Sequence, residues 1–287
     1  MKKITKFICL LLSFCIFSTL LCSCFGESVE IDIQELIEAN STRSLLENYK
    51  SINIKFDYGD GETYGYYVDS ELGYYWDTSG YTEITFGDVQ YGFDGYEYYR
   101  VFYAGEEPDT SMFEHVIIDK ELLPAEEVIK CKQKGDTITL TTKITVEEME
   151  KLGYEFAADQ DGGYFFTKYT IDASTLAIKQ MEERFVYEDG KRAAANIIDV
   201  YYDTERLDDA VALLENYNGA SSLRTVTVVT DPNTSEERSY KMTLPINAYT
   251  VFALPEEYEN GYTDRACTIA FEGDYETDKD LTVYVTK

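Results

Sequence analysis

The chain has 287 residues, with 54 acidic side chains against 25 basic ones and a net charge of −29. Such a field disfavours nucleic acid and anionic membrane surfaces as partners. Tyr, Phe, Val, Ile and Leu are plentiful and regularly spaced, which excludes a disordered chain.

The first elements lie at the N-terminus. Lys2, Lys3 and Lys6 precede an almost entirely apolar run from Phe7 to Leu21, and the first acid is Glu27. A charged start, a short apolar stretch and small residues at its exit describe a secretory signal. The run has about 15 residues, short of the ~20 needed to span a bilayer. Leu21-Cys22-Ser23-Cys24 resembles the lipobox of bacterial lipoproteins. Cys22 as the acylated residue would put Leu21 at the cleavage site, where a side chain of that size does not fit, so Cys24 is the expected lipidation site. The resemblance implies removal of residues 1–23, palmitate-type acylation at Cys24, and a membrane partner held through the lipid. At least two acyl chains make such a tether stable. The mature chain would then carry 22 basic and 54 acidic residues, a charge near −32.

Residues 24–30 read as a lipidated tether. Over 32–48, Ile33, Leu36, Ile37, Leu45 and Leu46 fall on one helical face, which predicts one amphipathic helix. From Ser51 the period changes to two, with Ile52, Ile54 and Phe56 alternating with polar residues. Strands follow at 63–68, 72–76, 81–86 and 96–103, separated by short Gly/Asp turns. Closely spaced turns of this kind signal an antiparallel meander. Residues 106–126 read as a crossing loop, then a hairpin of 128–133 and 137–144. A helix over 146–152 is capped by Thr145 and stopped by Gly153. Three long strands, 164–172, 176–188 and 191–203, close the domain, the last two joined by the Asp189-Gly190 turn. A helix over 204–217 leads into a small, polar 216–222 stretch.

The order of helix, meander, crossing and closing hairpins over 31–204 resembles the half-open β-barrel of periplasmic lipoprotein carriers and related Gram-positive and mycobacterial lipoproteins. That resemblance implies a curved sheet wrapped around a helix, with an apolar hollow for acyl chains. The C-terminal 223–287 carry Thr225-Val226-Thr227-Val228-Val229, a second strand over 238–244, Gly261-Tyr262 and Asp280-Leu281-Thr282-Val283-Tyr284-Val285. They resemble an internalin B-type repeat, a small β-grasp-like module. The expected fold class is α+β, mostly β. It comprises a half-barrel-like main domain (31–204), a helix and linker (205–222) and a small β-domain (223–287).

Chemistry-bearing motifs are scarce. One histidine, His115, lacks a neighbouring nucleophile signature. Cys131 and Cys267 are the two cysteines left after Cys24; they either pair or stay as two buried thiols. The acidic turns at 159–163 and 231–237 lack the spacing of an EF-hand. There is no phosphate-binding loop or dinucleotide turn. No catalytic residue, metal or cofactor is therefore expected, and the protein reads as non-enzymatic. Paired acids for glycoside hydrolysis are not marked out among so many carboxylates. Half of the 26 tyrosines lie between Tyr49 and Tyr103. Tyr-Tyr pairs in strands place one ring on each face, for sheet packing or for ligand contact. Tyr64, Tyr66, Tyr74, Trp76, Tyr96 and Tyr98 are the candidate ligand-binding residues. The expected function is binding of an amphiphilic or apolar ligand on the concave face of the sheet. The alternative is a structural or adhesive module that binds a protein or glycan.

Overall fold

The computed structural model describes residues 26–59, 61–105, 113, 116–156, 162–258, 260–271 and 279–287. The expected signal segment, Cys24 and His115 lie outside the described residues. The chain is mostly β, with large curved, unclosed sheets, a smaller separate sheet and a few short helices. Two compact units divide it: residues 1–48, 54–61 and 115–201, and residues 49–53, 62–114 and 202–287.

In the first unit, the expected 32–48 helix is two helices, α1 (Ile33–Ala39) and α2 (Thr42–Asn48). The apolar spacing runs on across the break, which is why periodicity alone misses it. Asp32 caps α1 by accepting from the Gln34 and Glu35 amides. Asn40 ends it, and its side chain is fully buried. Asn40 Nδ2 donates to the Leu36 and Leu176 carbonyls, both at 2.8 Å, and Oδ1 accepts from the Ile178 amide at 2.9 Å. A local hydrogen bond of this kind competes with helix continuation. It also ties the helix end to the turn before a strand.

After β1 (Glu27–Ser28), the sheet of this unit contains β8 (Glu127–Lys134), β9 (Thr137–Thr145), β10 (Tyr164–Asp172), β11 (Ile178–Val186) and β12 (Arg192–Tyr202). They are neighbours in the order β1-β8-β9-β10-β11-β12, and each neighbouring pair is antiparallel. Helix α3 (Val146–Lys151) follows β9, with the expected Thr145 cap completed as a capping box with Glu148. Tyr187 and Lys191 close the expected Asp189-Gly190 turn, with Gly190 at φ +82°.

In the second unit, β3 (Thr63–Asp69), β4 (Gly73–Asp77), β5 (Thr82–Phe86), β6 (Val89–Phe93) and β7 (Tyr98–Tyr103) form the meander. Strand β2 (Ser51–Asp57) is divided between the units. No strand is expected at β6 from the sequence pattern. There a Gly87-Asp88 connection joins β5 to a strand carrying its own glycine, Gly92. Beyond β7 the sheet gains β15 (Ala248–Ala253), which pairs with it in parallel. Helix α4 (Asp208–Asn218) is shorter than the expected 204–217 at its start. The small sheet has β14 (Arg238–Pro245), β13 (Leu223–Thr230), β17 (Leu281–Thr286) and β16 (Asn260–Tyr262) in that order.

One core serves this unit. Tyr67, Tyr74, Ile84, Tyr91 and Phe102 from the meander meet Ala210 and Leu213 of α4 and Val226, Val228, Leu244, Val283 and Val285 of the small sheet. Two buried arginines bind reciprocally across it. Arg100 on β7 donates to the Thr243 carbonyl on β14, and Arg224 on β13 donates to the Ala248 carbonyl on β15 at 3.0 Å. Burial pushes both guanidinium pKa values down.

Candidate functional site

The tyrosine-rich strands sort into two faces by register. On one, Tyr66, Tyr75, Glu83, Gly92, Tyr99 and Tyr249 stand opposite one another across six strands. On the other, Tyr67, Tyr74, Ile84 and Tyr91 belong to the core. Each Tyr-Tyr pair does split between faces, and the split separates the candidate ligand residues. Tyr64 and Tyr66 are on the first face, with ring centroids 5.9 Å apart. Tyr74 is 1% exposed in the core, with Trp76 and Tyr98 packed on the same cluster. Tyr96 stands 90% exposed at a hairpin tip. The six do not form one site.

The first face has a polar centre. Glu83 is only 4% exposed, yet carries three donors. Tyr99 donates at 2.6 Å and Tyr81 at 3.1 Å, and the Gln90 amide donates to the other oxygen. Tyr81 is pushed up to about 12, by burial first, with the Glu83 charge adding to it. Tyr99 is raised further by burial and by Glu83. Gly92 makes room for the Tyr99 ring, which a Cβ there would strike. The cluster is internally satisfied, and it stiffens the sheet through its hydrogen bonds.

A second arrangement, not expected from the sequence, lies in the first unit. Asn196, Glu183, Thr167 and Thr142 are register partners across β12, β11, β10 and β9. They make one polar row on a face whose adjacent rows are apolar. On one side run Ile198, Met181, Tyr169, Leu140 and Cys131. On the other side Phe165, Phe185 and Ile144 are aligned. Phe156 and Tyr187 extend this side, with ring centroids 5.7 Å from Phe165 and 4.8 Å from Phe185. The row is buried at Thr142 and Thr167 and half-buried at Glu183 and Asn196.

Glu126, just before β8, reaches into this row. Its carboxylate accepts from the Tyr169 hydroxyl at 3.1 Å and engages Thr142. Burial pushes it up to about 7; the Thr142 and Tyr169 hydrogen bonds pull it down in part, and the charges of Glu183 and Asp119 push it up again. Burial alone raises Glu183. Tyr169 is raised well above its ordinary value, by burial first and then by Glu126. Among the described residues no Lys or Arg forms an ion pair with Glu126 or Glu183. The outward-facing Glu182 instead takes Lys168 and Arg184. One signal for this site is present in the sequence: period two puts Glu183 inward, between Met181 and Phe185.

Among the described residues no group of three or more His, Cys, Asp or Glu converges as a metal site. The 231–237 turn is held by protein groups: the Asn233 amide donates to Glu237, and Arg265 pairs with the same carboxylate. The 159–161 acids lie outside the described residues. Cys131 and Cys267 are free thiols.

No protein-family model matches the sequence, and no curated protein matches it. Among solved structures, the crystal structure of LprF from Mycobacterium bovis is similar over 63% of this chain and 97% of its own. The identity is 10% and the TM-score 0.30. A likeness that low leaves fold and function to the chain's own geometry.

Proposed function

We propose that the protein is a lipid-anchored, extracytoplasmic binding protein without enzymatic activity. Its ligand is an amphiphile that lies on the Thr142–Thr167–Glu183 face of the first unit. The observation that carries the reading is the single polar row set between apolar rows. A polar head group finds carboxyl, hydroxyl and amide partners along the row. Its acyl or other apolar part runs over Phe165, Phe185 and Phe156 on one side or Met181 and Leu140 on the other. Ligand sites are mostly apolar, with a few polar groups fixing orientation. The tether is supported by Leu21-Cys22-Ser23-Cys24 behind an apolar run.

Organic extraction of the purified mature chain, followed by mass spectrometry, tests the reading. A stoichiometric amphiphile is expected. An extract free of any such molecule, together with no uptake of fluorescent fatty acids or lysolipids, would contradict it. The second reading, a surface module for a protein or glycan, is favoured by the Tyr64, Tyr66 and Tyr75 rings around a carboxylate-centred face. Saturation in a glycan-binding titration lost on Tyr66→Ala would support that reading instead.

A further inference from the structure

The outward face of the β8–β11 sheet, opposite the polar row, is basic. Strand β8 turns Cys131 inward against Leu140, so Lys130, Lys132 and Lys134 point outward. Every outward position from the bulge to the turn is therefore a lysine, and the three stand about 6.7 Å apart. Register places Lys143 beside Phe166 and Phe166 beside Arg184, with Lys130, Thr141 and Lys168 in the next row. These cations outnumber the acids of the same rows. Glu182 lies between Lys168 and Arg184, at 3.9 and 3.1 Å, and Asp172 pairs with Lys179 at 2.7 Å. Glu127 and Asp199 are the other two acids. Among the described residues Lys130, Lys132, Lys134 and Lys143 form no ion pair, and Lys143 lies 4.4 Å over the Tyr164 ring. Phe166 is 38% exposed amid these charges, and Ile129, next to Lys130 in the bulge, is 48% exposed.

The expected tether enters at the same edge. Strand β1 pairs with β8 at Glu27–Gln133 and Ser28–Lys132, and the Val29 amide donates to the Cys131 carbonyl at 3.3 Å. Gly26 lies against the Gln133 carbonyl and the Lys132 side chain, both of which a Cβ there would touch. Cys24 is two residues earlier, a reach of about 7 Å.

We propose that this lysine-rich face docks on the anionic lipid head groups of the membrane that holds the tether. The net charge of −29 opposes approach of the whole chain to such a surface, so only an orientation that presents a local basic face is attractive. The tether supplies proximity, the lysines supply orientation, and Phe166 offers an apolar contact among the head groups. The polar row, on the other face of the sheet, is then turned away from the bilayer. Attachment at Cys24 rests on the proposed function, whereas the charge pattern does not, and the test separates the two.

The lipidated mature chain is placed in vesicles of phosphatidylcholine alone, or of equal parts phosphatidylcholine and phosphatidylglycerol, and treated with a water-soluble acetylating reagent. Mass spectrometry reads the rate at each lysine. Lys130, Lys132 and Lys134 should react at least about tenfold more slowly on the anionic vesicles and recover in about 1 M salt, where charges are screened within about 3 Å. Lys191, four strands away before β12, should not change. In the variant Lys130→Gln, Lys132→Gln, Lys134→Gln, Lys143 should lose its protection. Equal rates on the two vesicles would overturn the proposal. Protection by soluble polyphosphate, with none from the anionic vesicles, would assign the face to a phosphate polymer and overturn the membrane assignment. Should the N-terminal peptide carry no lipid, the tether reading fails and cosedimentation with the same vesicles at low salt decides. Capture by the anionic vesicles alone, lost in the triple variant, supports the face; no capture by either overturns it.

Discussion

Replacing Asn40 by Ala should destabilise the first unit by about 3 kcal/mol. The side chain is fully buried and makes three hydrogen bonds to main chain. Its removal takes away all three of these bonds, one of them made to the amide of Ile178, a residue with no exposed surface. Each intramolecular hydrogen bond contributes about 0.5–1.5 kcal/mol net. Leu176 also holds a left-handed backbone, φ +59°, a conformation costing of order 1 kcal/mol that persists only where neighbours enforce it. Urea unfolding followed by far-ultraviolet circular dichroism measures the loss, with the slope unchanged if only stability moves. Asn48→Ala is the control. Asn48 donates to the Ser44 carbonyl at 3.0 Å with the same chemistry but in an exposed position, and its loss should cost under about 0.5 kcal/mol. Equal effects of the two substitutions would refute the claim that Asn40 clamps the helix to the β10–β11 turn.

Gly92→Ala should destabilise the second unit by about 2 kcal/mol, because the new methyl meets the Tyr99 ring; thermal unfolding checks this, and an unchanged midpoint would contradict it. Arg206 pairs with Asp69 at 2.7 Å and with Glu71 at 2.8 Å. Burial would raise Asp69, but the Arg206 hydrogen bond and the Glu71 and Leu72 amides hold it below its ordinary value. Its contribution is therefore present above the ordinary carboxylate range and lost as pH falls through the depressed value. Arg206→Met should weaken the protein at neutral pH and flatten this acid limb in pH-dependent urea titrations. Cys24→Ser should move the protein from the membrane fraction to the soluble one and abolish labelling by radioactive palmitate.

Much of the first unit was legible because its strands are long and alternate cleanly. Ile138, Leu140, Thr142 and Ile144 already mark one face of β9, Thr145 and Glu148 announce α3, and Asp189-Gly190 fixes the last hairpin. Strand β6 was not legible, because Gly87 lies just before it and Gly92 interrupts its side-chain pattern. Only the Tyr99 ring, packed over Gly92 from the neighbouring strand, explains a glycine inside it. The break at Asn40 was hidden by an apolar pattern that continues through it. The parallel pairing of β15 with β7 joins segments far apart in sequence, and no local signal marks it. The polar row was missed for a related reason. Thr142, Thr167 and Glu183 each look ordinary on their own strands, and only the register aligns them. The tyrosine strands showed their two faces, but not which face the core of the second unit would take.

The proposed function places an amphiphile on the polar row of the first unit. Photocrosslinking with a diazirine-bearing fatty acid, followed by peptide mapping, tests it most directly. Adducts are predicted on 137–145, 164–172 and 178–186, competed by unlabelled lipid and reduced at least about tenfold, or about 1.4 kcal/mol, by Thr167→Trp. Adducts confined to the Tyr64–Tyr66–Tyr75 face, or scattered labelling that unlabelled lipid does not compete, would contradict it.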